Sequence, residues 1–212
     1  MAATDIPTDT PRQRRELRRR FRNHRQSLDA QAQADHAAAA ARHFFTSSLP
    51  WHTRTAGLYV ANDGELDATP LLERLPGMRK RVALPAVSRG GAMSFYRYRP
   101  GAALIINRYG IPEPAPDAAF VHPLALDLLL MPLVAFDDRG VRLGMGAGYY
   151  DRYLARIPPR LRPLLVGLAH EVQRSPEPLP AASWDVPLDG VITEAGWQRF
   201  HHRSTAGGRA WP

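Results

Sequence analysis

Residues 126–136 read Leu-Asp-Leu-Leu-Leu-Met-Pro-Leu-Val-Ala-Phe, and residues 140–153 read Gly-Val-Arg-Leu-Gly-Met-Gly-Ala-Gly-Tyr-Tyr-Asp-Arg-Tyr. The first run is almost continuously apolar, which suits a strand buried on both faces. In the second, Gly144, Gly146 and Gly148 remove three Cβ atoms within five residues. Backbone N–H groups can then turn inward and form a nest for an anion. Tyr150, Tyr153, Leu154 and Ile157 follow at helical spacing, so a helix is expected over Tyr149–Ile157. A strand that hands over through glycines to a helix N-terminus is a ready phosphate site.

Helices and strands alternate on either side of these runs. Asp29 is placed to cap an Ala-rich helix reaching about Ser47, and Thr55–Ala61 reads as a strand. Thr69-Pro70 is expected to cap the helix Leu71–Leu75, with further strands expected at Arg81–Val87 and Met93–Tyr98. Leu126–Phe136 is the central strand, Leu164–Ala169 another, and Gly190–Thr193 a short last one. This order predicts an α/β fold: a three-layer, Rossmann-like arrangement, with a mostly parallel central sheet and helices on both faces. Ligands in such sheets bind at the carboxyl ends of the strands, where Gly144–Gly148 are expected to lie. Pro112, Pro114 and Pro116 mark a rigid mid-chain loop, and residues 174–182 a second Pro-rich connection. Residues 12–200 are expected to form one domain, between disordered ends at 1–11 and 201–212.

Composition narrows the class. A chain of 212 residues with 44% apolar content can bury one substantial core. It has no apolar run long enough to span a membrane and no export signal at its N-terminus, so a cytoplasmic location is expected. The lack of cysteine excludes disulfides, thiolate nucleophiles and structural zinc of the usual cysteine-ligated kind. The net charge of +8 is concentrated: up to Leu28 there are eight Arg against Asp5, Asp9 and Glu16. Thr10, Pro11 and Gln13 make an N-cap, a first-turn proline and a capping-box partner. Leu17, Phe21 and Leu28 mark an apolar stripe, while Arg14, Arg15, Arg18, Arg19, Arg22 and Arg25 cover the rest of the helix. For most of these arginines the expectation is a solvated face; the cluster as a whole also suits a polyanion. Because Lys80 is the one lysine, any cation applied to phosphate is arginine or metal, and Schiff-base chemistry is disfavoured.

The glycine run matches neither common nucleotide loop. Tyr149 occupies the place where a dinucleotide fingerprint has its third Gly, and the Lys of a Walker loop is missing. Its flanks point to phosphate in another way. Arg142 supplies a cation ahead of the nest, and Asp151 sits just inside the helix, where it favours the dipole or holds Mg²⁺. Other candidates are weaker: His201-His202 is a tail pair, His170 ends a strand as a hydrogen-bonded histidine, and Ser175 and Ser183 lack a nucleophile elbow.

Arg-Leu-Gly-Met-Gly-Ala-Gly-Tyr-Tyr-Asp-Arg at 142–152, with Pro132 and Ala135-Phe136-Asp137 upstream, resembles the signature of the 5-formyltetrahydrofolate cyclo-ligase family, also called 5,10-methenyltetrahydrofolate synthetases. Four further stretches agree in order: Arg14-Arg15-Glu16-Leu17-Arg18, Gly64-Glu65-Leu66-Asp67, Gly110-Ile111-Pro112-Glu113-Pro114 and Trp184-Asp185-Val186-Pro187-Leu188-Asp189. Two positions depart from the family pattern: Ala147 stands where Gly is common, and Arg14 where Lys is frequent. The resemblance spans residues 12–195. It implies ATP-dependent cyclisation of 5-formyltetrahydrofolate to 5,10-methenyltetrahydrofolate with release of ADP and phosphate. It further implies ATP binding by Arg14, Arg18, Arg142, Gly144, Met145, Gly146, Ala147, Gly148, Tyr149 and Tyr150, folate binding by Val60 and Glu65, and Mg²⁺ held by Asp151 and Asp185. Arg18 and Asp151 are the expected catalytic pair. Expected partners are these small molecules, with a monomeric chain, no nucleic acid and no membrane. Two other classes are weighed against this one: a polyanion- or RNA-binding module using the Arg-rich helix, and a sugar-phosphate isomerase or CoA-transferase-like enzyme on a similar scaffold.

Overall fold

The computed structural model describes residues 11–200. The Thr10 cap, the His201-His202 pair and the ends expected to be disordered therefore lie outside the described residues, apart from Pro11. The helices are α1 (Pro11–Gln26), α2 (Ala30–Thr46), α3 (Leu49–His52), α4 (Thr69–Gly77) and α5 (Tyr149–Leu154). The strands are β1 (Thr55–Gly57), β2 (Arg81–Val87), β3 (Met93–Tyr98), β4 (Leu104–Ile106), β5 (Pro112–Pro114) and β6 (Phe120–Val121), then β7 (Leu128–Met131), β8 (Ala135–Phe136), β9 (Arg142–Leu143), β10 (Leu164–Leu168), β11 (Gly190–Thr193) and β12 (Gly196–Arg199). Among the described residues, no helix is long and apolar enough to cross a membrane.

Eight strands form one sheet in the order β12-β11-β10-β7-β1-β2-β3-β6. The five from β11 to β2 are parallel; β12 and β3 flank them antiparallel, and β6 pairs antiparallel with β3. All four residues of β7 are buried because they alternate between two covered faces. Leu128 and Leu130 pack with Leu71 and Leu75 of α4 and Phe44 of α2, while Leu129 and Met131 pack with Tyr153 and Leu154 of α5. Each such Leu contributes roughly 1.5–3 kcal/mol on burial. This is the expected α/β, mostly parallel, three-layer architecture.

Local signals hold where the chemistry is local. Asp29 caps α2, its side chain accepting from the Ala32 N–H at 2.7 Å. At α4 the structure differs: Ala68 is the cap residue, and Asp67 accepts from both the N–H and the hydroxyl of Thr69. The expected long strand Leu126–Phe136 is interrupted because Pro132 has no N–H to continue the ladder. Beyond it β8 pairs antiparallel with β9 as a two-stranded unit outside the main sheet. That unit packs on Leu17 and Phe21 of α1. The Thr55–Ala61 strand is likewise shorter than expected, and Gly190–Thr193 is followed by the antiparallel edge strand β12.

Candidate active site

A cavity of about 720 Å³ opens at the carboxyl ends of β1, β2 and β7, where Tyr59, Val60, Pro85, Val87, Pro132 and Leu133 line it. Its size lies in the upper part of the roughly 300–1,000 Å³ common for small-molecule sites.

After β1 the chain turns through Asn62-Asp63-Gly64-Glu65, with the Glu65 N–H donating to the Asn62 carbonyl at 3.1 Å. Asp63 has φ 56° and Gly64 φ 74°, the left-handed pair that a type I′ turn requires. Asp63 tolerates this because α1 grips it. Arg22 reaches its carboxylate with two bonds of 2.6 and 2.7 Å, Arg25 with one of 2.8 Å, and Gln26 with one of 2.6 Å. These arginines hold the Asp63 carboxyl below its ordinary range, the Arg22 hydrogen bond first among the causes and outweighing burial. Arg25 also donates to the carbonyls of Asp63 and Leu133 and is fully buried. The expectation of a solvated face thus fails for Arg25, which is buried, whereas Arg22 is exposed and reaches Asp63 from that face. The signal for Arg25 lay in its phase: Leu17, Phe21 and Arg25 are separated by steps of four, so it sits on the apolar stripe.

The turn presents Glu65 to the cavity. Burial pushes its carboxyl up to about 7, against the opposing effects of Arg25 and the Asn62 N–H. Val60 lines the same cavity and packs on the core beneath it.

The glycine loop forms a second wall. It leaves β9, not a strand of the main sheet, because the Pro132 break diverts the chain through the β8–β9 unit first. Residues 144–147 are exposed, and the loop ends at Gly148 in the left-handed conformation that opens α5. Arg18 holds the loop from below, its Nε donating to the Gly144 carbonyl at 2.8 Å, with its guanidinium 3.6 Å from where a Cβ on Gly146 would lie. Gly146 itself has φ 104°. Arg152 fixes the far end by donating to the Ala147 carbonyl at 2.6 Å. Met145 is half exposed, its sulfur 3.7 Å from Arg25.

Asp151 and Asp185 both face the cavity, each paired with an arginine. Arg142 is buried; it donates to Asp151 Oδ1 at 2.5 Å and to the Val186 carbonyl. Arg14 forms a fork on Asp185 with bonds of 2.8 and 3.3 Å, and the Ala182 N–H adds a third at 2.9 Å. Arg15 also lines the cavity.

Tyr149 and Tyr150 line it with different surroundings. The Tyr149 hydroxyl lies 2.5 Å from that of Tyr109 and 3.3 Å from Arg108, and these hydrogen bonds lower its pKa, Tyr109 contributing most. Tyr150 is raised, by burial first and then by Glu65. Tyr109 belongs to the connection of the β4–β5 hairpin, where a rigid loop was expected. Glu113 joins that hairpin to β2, accepting from the Asn107 side chain at 3.0 Å and the Val87 N–H at 3.2 Å. Asn107 and Tyr109 line the cavity without having been singled out, since nothing in their local sequence distinguishes them from an ordinary turn, whereas Glu113 belongs to the mid-chain stretch 110–114 quoted above.

One cavity therefore collects Arg14, Arg18, Val60, Glu65, Arg142, the loop 144–148, Tyr149, Tyr150, Asp151 and Asp185. Ser175 is buried, donating to the Glu177 carbonyl at 2.7 Å, and takes no part in it.

Comparison with known proteins identifies the family. Residues 10–194 match the model of the 5-formyltetrahydrofolate cyclo-ligase family. The chain is 40% identical over 176 residues to the 5-formyltetrahydrofolate cyclo-ligase of Escherichia coli (strain K12), covering 82% of this chain and 96% of that protein. It is 35% identical over 182 residues to the enzyme of the same name from Haemophilus influenzae, covering 84% and 96%. Among solved structures, the 5,10-methenyltetrahydrofolate synthetase of Aquifex aeolicus superposes with a TM-score of 0.76 at 31% identity, covering 92% of this chain and 97% of that one. With a cavity at the strand ends, a glycine loop buttressed by Arg18 and a match over nearly the whole described chain, this protein belongs to the 5-formyltetrahydrofolate cyclo-ligase family.

Proposed function

We propose that the protein closes 5-formyltetrahydrofolate to 5,10-methenyltetrahydrofolate at the expense of ATP, with this cavity as the site of both substrates. The observation that carries the reading is the facing of a high-pKa carboxylate, Glu65, and an arginine-braced glycine loop across one cavity. An amide oxygen is a poor leaving group, so the formyl oxygen first takes the γ-phosphoryl group of ATP, releasing ADP. The pendant anilino nitrogen then attacks the activated carbon and loses its proton. Phosphate departs with the former formyl oxygen, leaving the methenyl bridge.

The residues act mainly by positioning and charge. Gly144–Gly148 offer exposed backbone to the phosphates, and Arg18 keeps that loop in place while adding positive charge. Glu65, once ionised, accepts N–H donors of the pterin, with Val60 against the ring and Tyr149 or Tyr150 available for stacking. Asp151 and Asp185, both oxygen donors lining the same cavity, would hold Mg²⁺ there. Asp151 meets Arg142 through Oδ1, whereas Asp185 has both oxygens on Arg14. A cation at Asp185 would therefore compete with Arg14 for that carboxylate. Bound there, Mg²⁺ would offset phosphate charge.

Mixing the protein with 5-formyltetrahydrofolate and MgATP should produce the near-ultraviolet absorbance of the methenyl product, with one ADP per turnover and no turnover in EDTA. Silence of the full assay would overturn the function, and full activity in EDTA would remove the metal. Arg18→Ala is expected to lower kcat/KM for ATP on the order of tenfold or more through loss of a charged contact. Arg19→Ala, on the exposed face, should stay near wild type. Equal losses in both, accompanied by salt-sensitive RNA retention, would favour the polyanion module.

Glu65 gives a test in pH. Its folded pKa near 7 exceeds the ordinary 4.5, so its contribution to stability is fully present below about 4.5 and lost as pH rises through 7. Glu65→Gln removes that loss. The variant should gain stability relative to wild type between pH 5 and pH 8, by about 2 kcal/mol, while its KM for folate rises. Parallel melting curves at the two pH values measure the gain; a relative loss at pH 8 would mean that the ionised carboxylate is already stabilised without substrate.

A further inference from the structure

Outside the cavity, the ends of β10 and β11 meet α2 at His170, Glu194 and His36. His36 Nδ1 lies 2.9 Å from His170 Nδ1 and 3.4 Å from Glu194 Oε1, and the three donor atoms all fall within 4.8 Å of one another. We propose that His36 Nδ1, His170 Nδ1 and Glu194 Oε1 form a binding site for a divalent transition metal of the Zn²⁺ type, with water as the fourth ligand. The site is separate from the folate reaction and does not depend on it.

Two imidazoles and a carboxylate are a borderline-soft donor set that suits zinc over magnesium or calcium. The spacing agrees. With metal–ligand distances of about 2.0–2.1 Å, a tetrahedral edge is about 3.3 Å long. The His36–Glu194 separation already matches that value, and the two imidazole nitrogens need to part by only about 0.4 Å, a small ring rotation.

Neighbouring groups hold the ligands in place. Both Glu194 oxygens accept from the Glu171 N–H, at 3.1 and 3.0 Å, and the Glu194 carbonyl lies 3.1 Å from His43 Nε2. Such outer contacts orient ligands and are typical of built sites. His170 is fully buried, and its N–H backbone donates to Gln173. Its Nε2 has no regular hydrogen bond, the nearby Gly64 backbone helping only weakly. Side-chain exposures of 22% at His36 and 19% at Glu194 leave a path for the ion and its water. A metal here would tie α2 to two strand ends beside Gly64, in the turn that carries Glu65.

The test uses full-length protein stripped of metal by chelator and dialysed. Calorimetric titration with ZnCl₂ should give one equivalent bound, and Co²⁺ should give the intense visible absorption of a tetrahedral N,O site. The melting temperature should rise with Zn²⁺ concentration. His36→Ala and Glu194→Gln, both at partly exposed positions, should each weaken Zn²⁺ on the order of a hundredfold or more and abolish the cobalt band. Replacing His201 and His202 by Ala should leave both signals intact. Absence of binding, undiminished binding in His36→Ala, or loss of binding in the tail variant alone would each overturn the site. Ligase turnover is not a readout, so failure here and failure of the cyclo-ligase reading are distinguishable.

Discussion

Asp151→Asn is expected to lower turnover by roughly 10²-fold or more while the protein stays folded. If Asp151 holds the cation that neutralises the transferred phosphoryl group, as proposed above, losing that ligand costs a few kcal/mol of barrier. The structure adds a second consequence. Asp151 is the partner of Arg142, which is only 6% exposed, and removing the partner of a buried charge can cost 3–5 kcal/mol of stability at most. Asn retains an oxygen that can accept from Arg142, so the stability cost should fall well below that limit. Initial rates at saturating MgATP, together with the unfolding midpoint of the same preparation, separate the two effects. A wild-type rate would leave Asp151 as no more than the counter-ion of Arg142 and a helix-end charge.

Gly146→Val is expected to weaken ATP by roughly a hundredfold or more, for two reasons that act together. At φ 104° a β-branched residue is a steric outlier, and such strain is of order 1–3 kcal/mol. The new side chain would also project toward the Arg18 guanidinium, 3.6 Å from the Cβ position, and so push on the group that anchors the loop through Gly144. Because residues 144–147 are exposed and pack on no core cluster, the melting temperature should change far less than the affinity. Calorimetry with ATP decides the matter: a normal dissociation constant in a folded variant would move the nucleotide away from this loop.

The two predictions draw on different sources. The glycine loop, Asp151 and the helix that begins at Tyr149 are contiguous, and short-range chemistry is written in short stretches of sequence: a missing Cβ, a helical spacing, a carboxylate in a first turn. The same holds for the Asp29 cap and for β7, whose unbroken Leu-Leu-Leu-Met announces burial on both faces. By itself the sequence therefore determined the α/β class, the parallel core strands, the glycine loop at the start of α5 and, through its motifs, the family.

The tertiary structure decided which charge meets which. Arg22 and Arg25 look like their neighbours in an Arg-rich run, yet the packing of Phe21 against the β8–β9 unit turns them onto Asp63, about forty positions further along. Arg14 and Asp185 are 171 positions apart and become a fork-shaped pair, while His36, His170 and Glu194 converge from three separate elements. Pro132 forbids one more ladder bond, but only the sheet reveals that the chain then detours through β8 and β9 before entering the loop. Hydrophobic periodicity fixes which face of an element is buried. It carries no information about which distant polar group stands opposite, because that depends on how the buried faces stack.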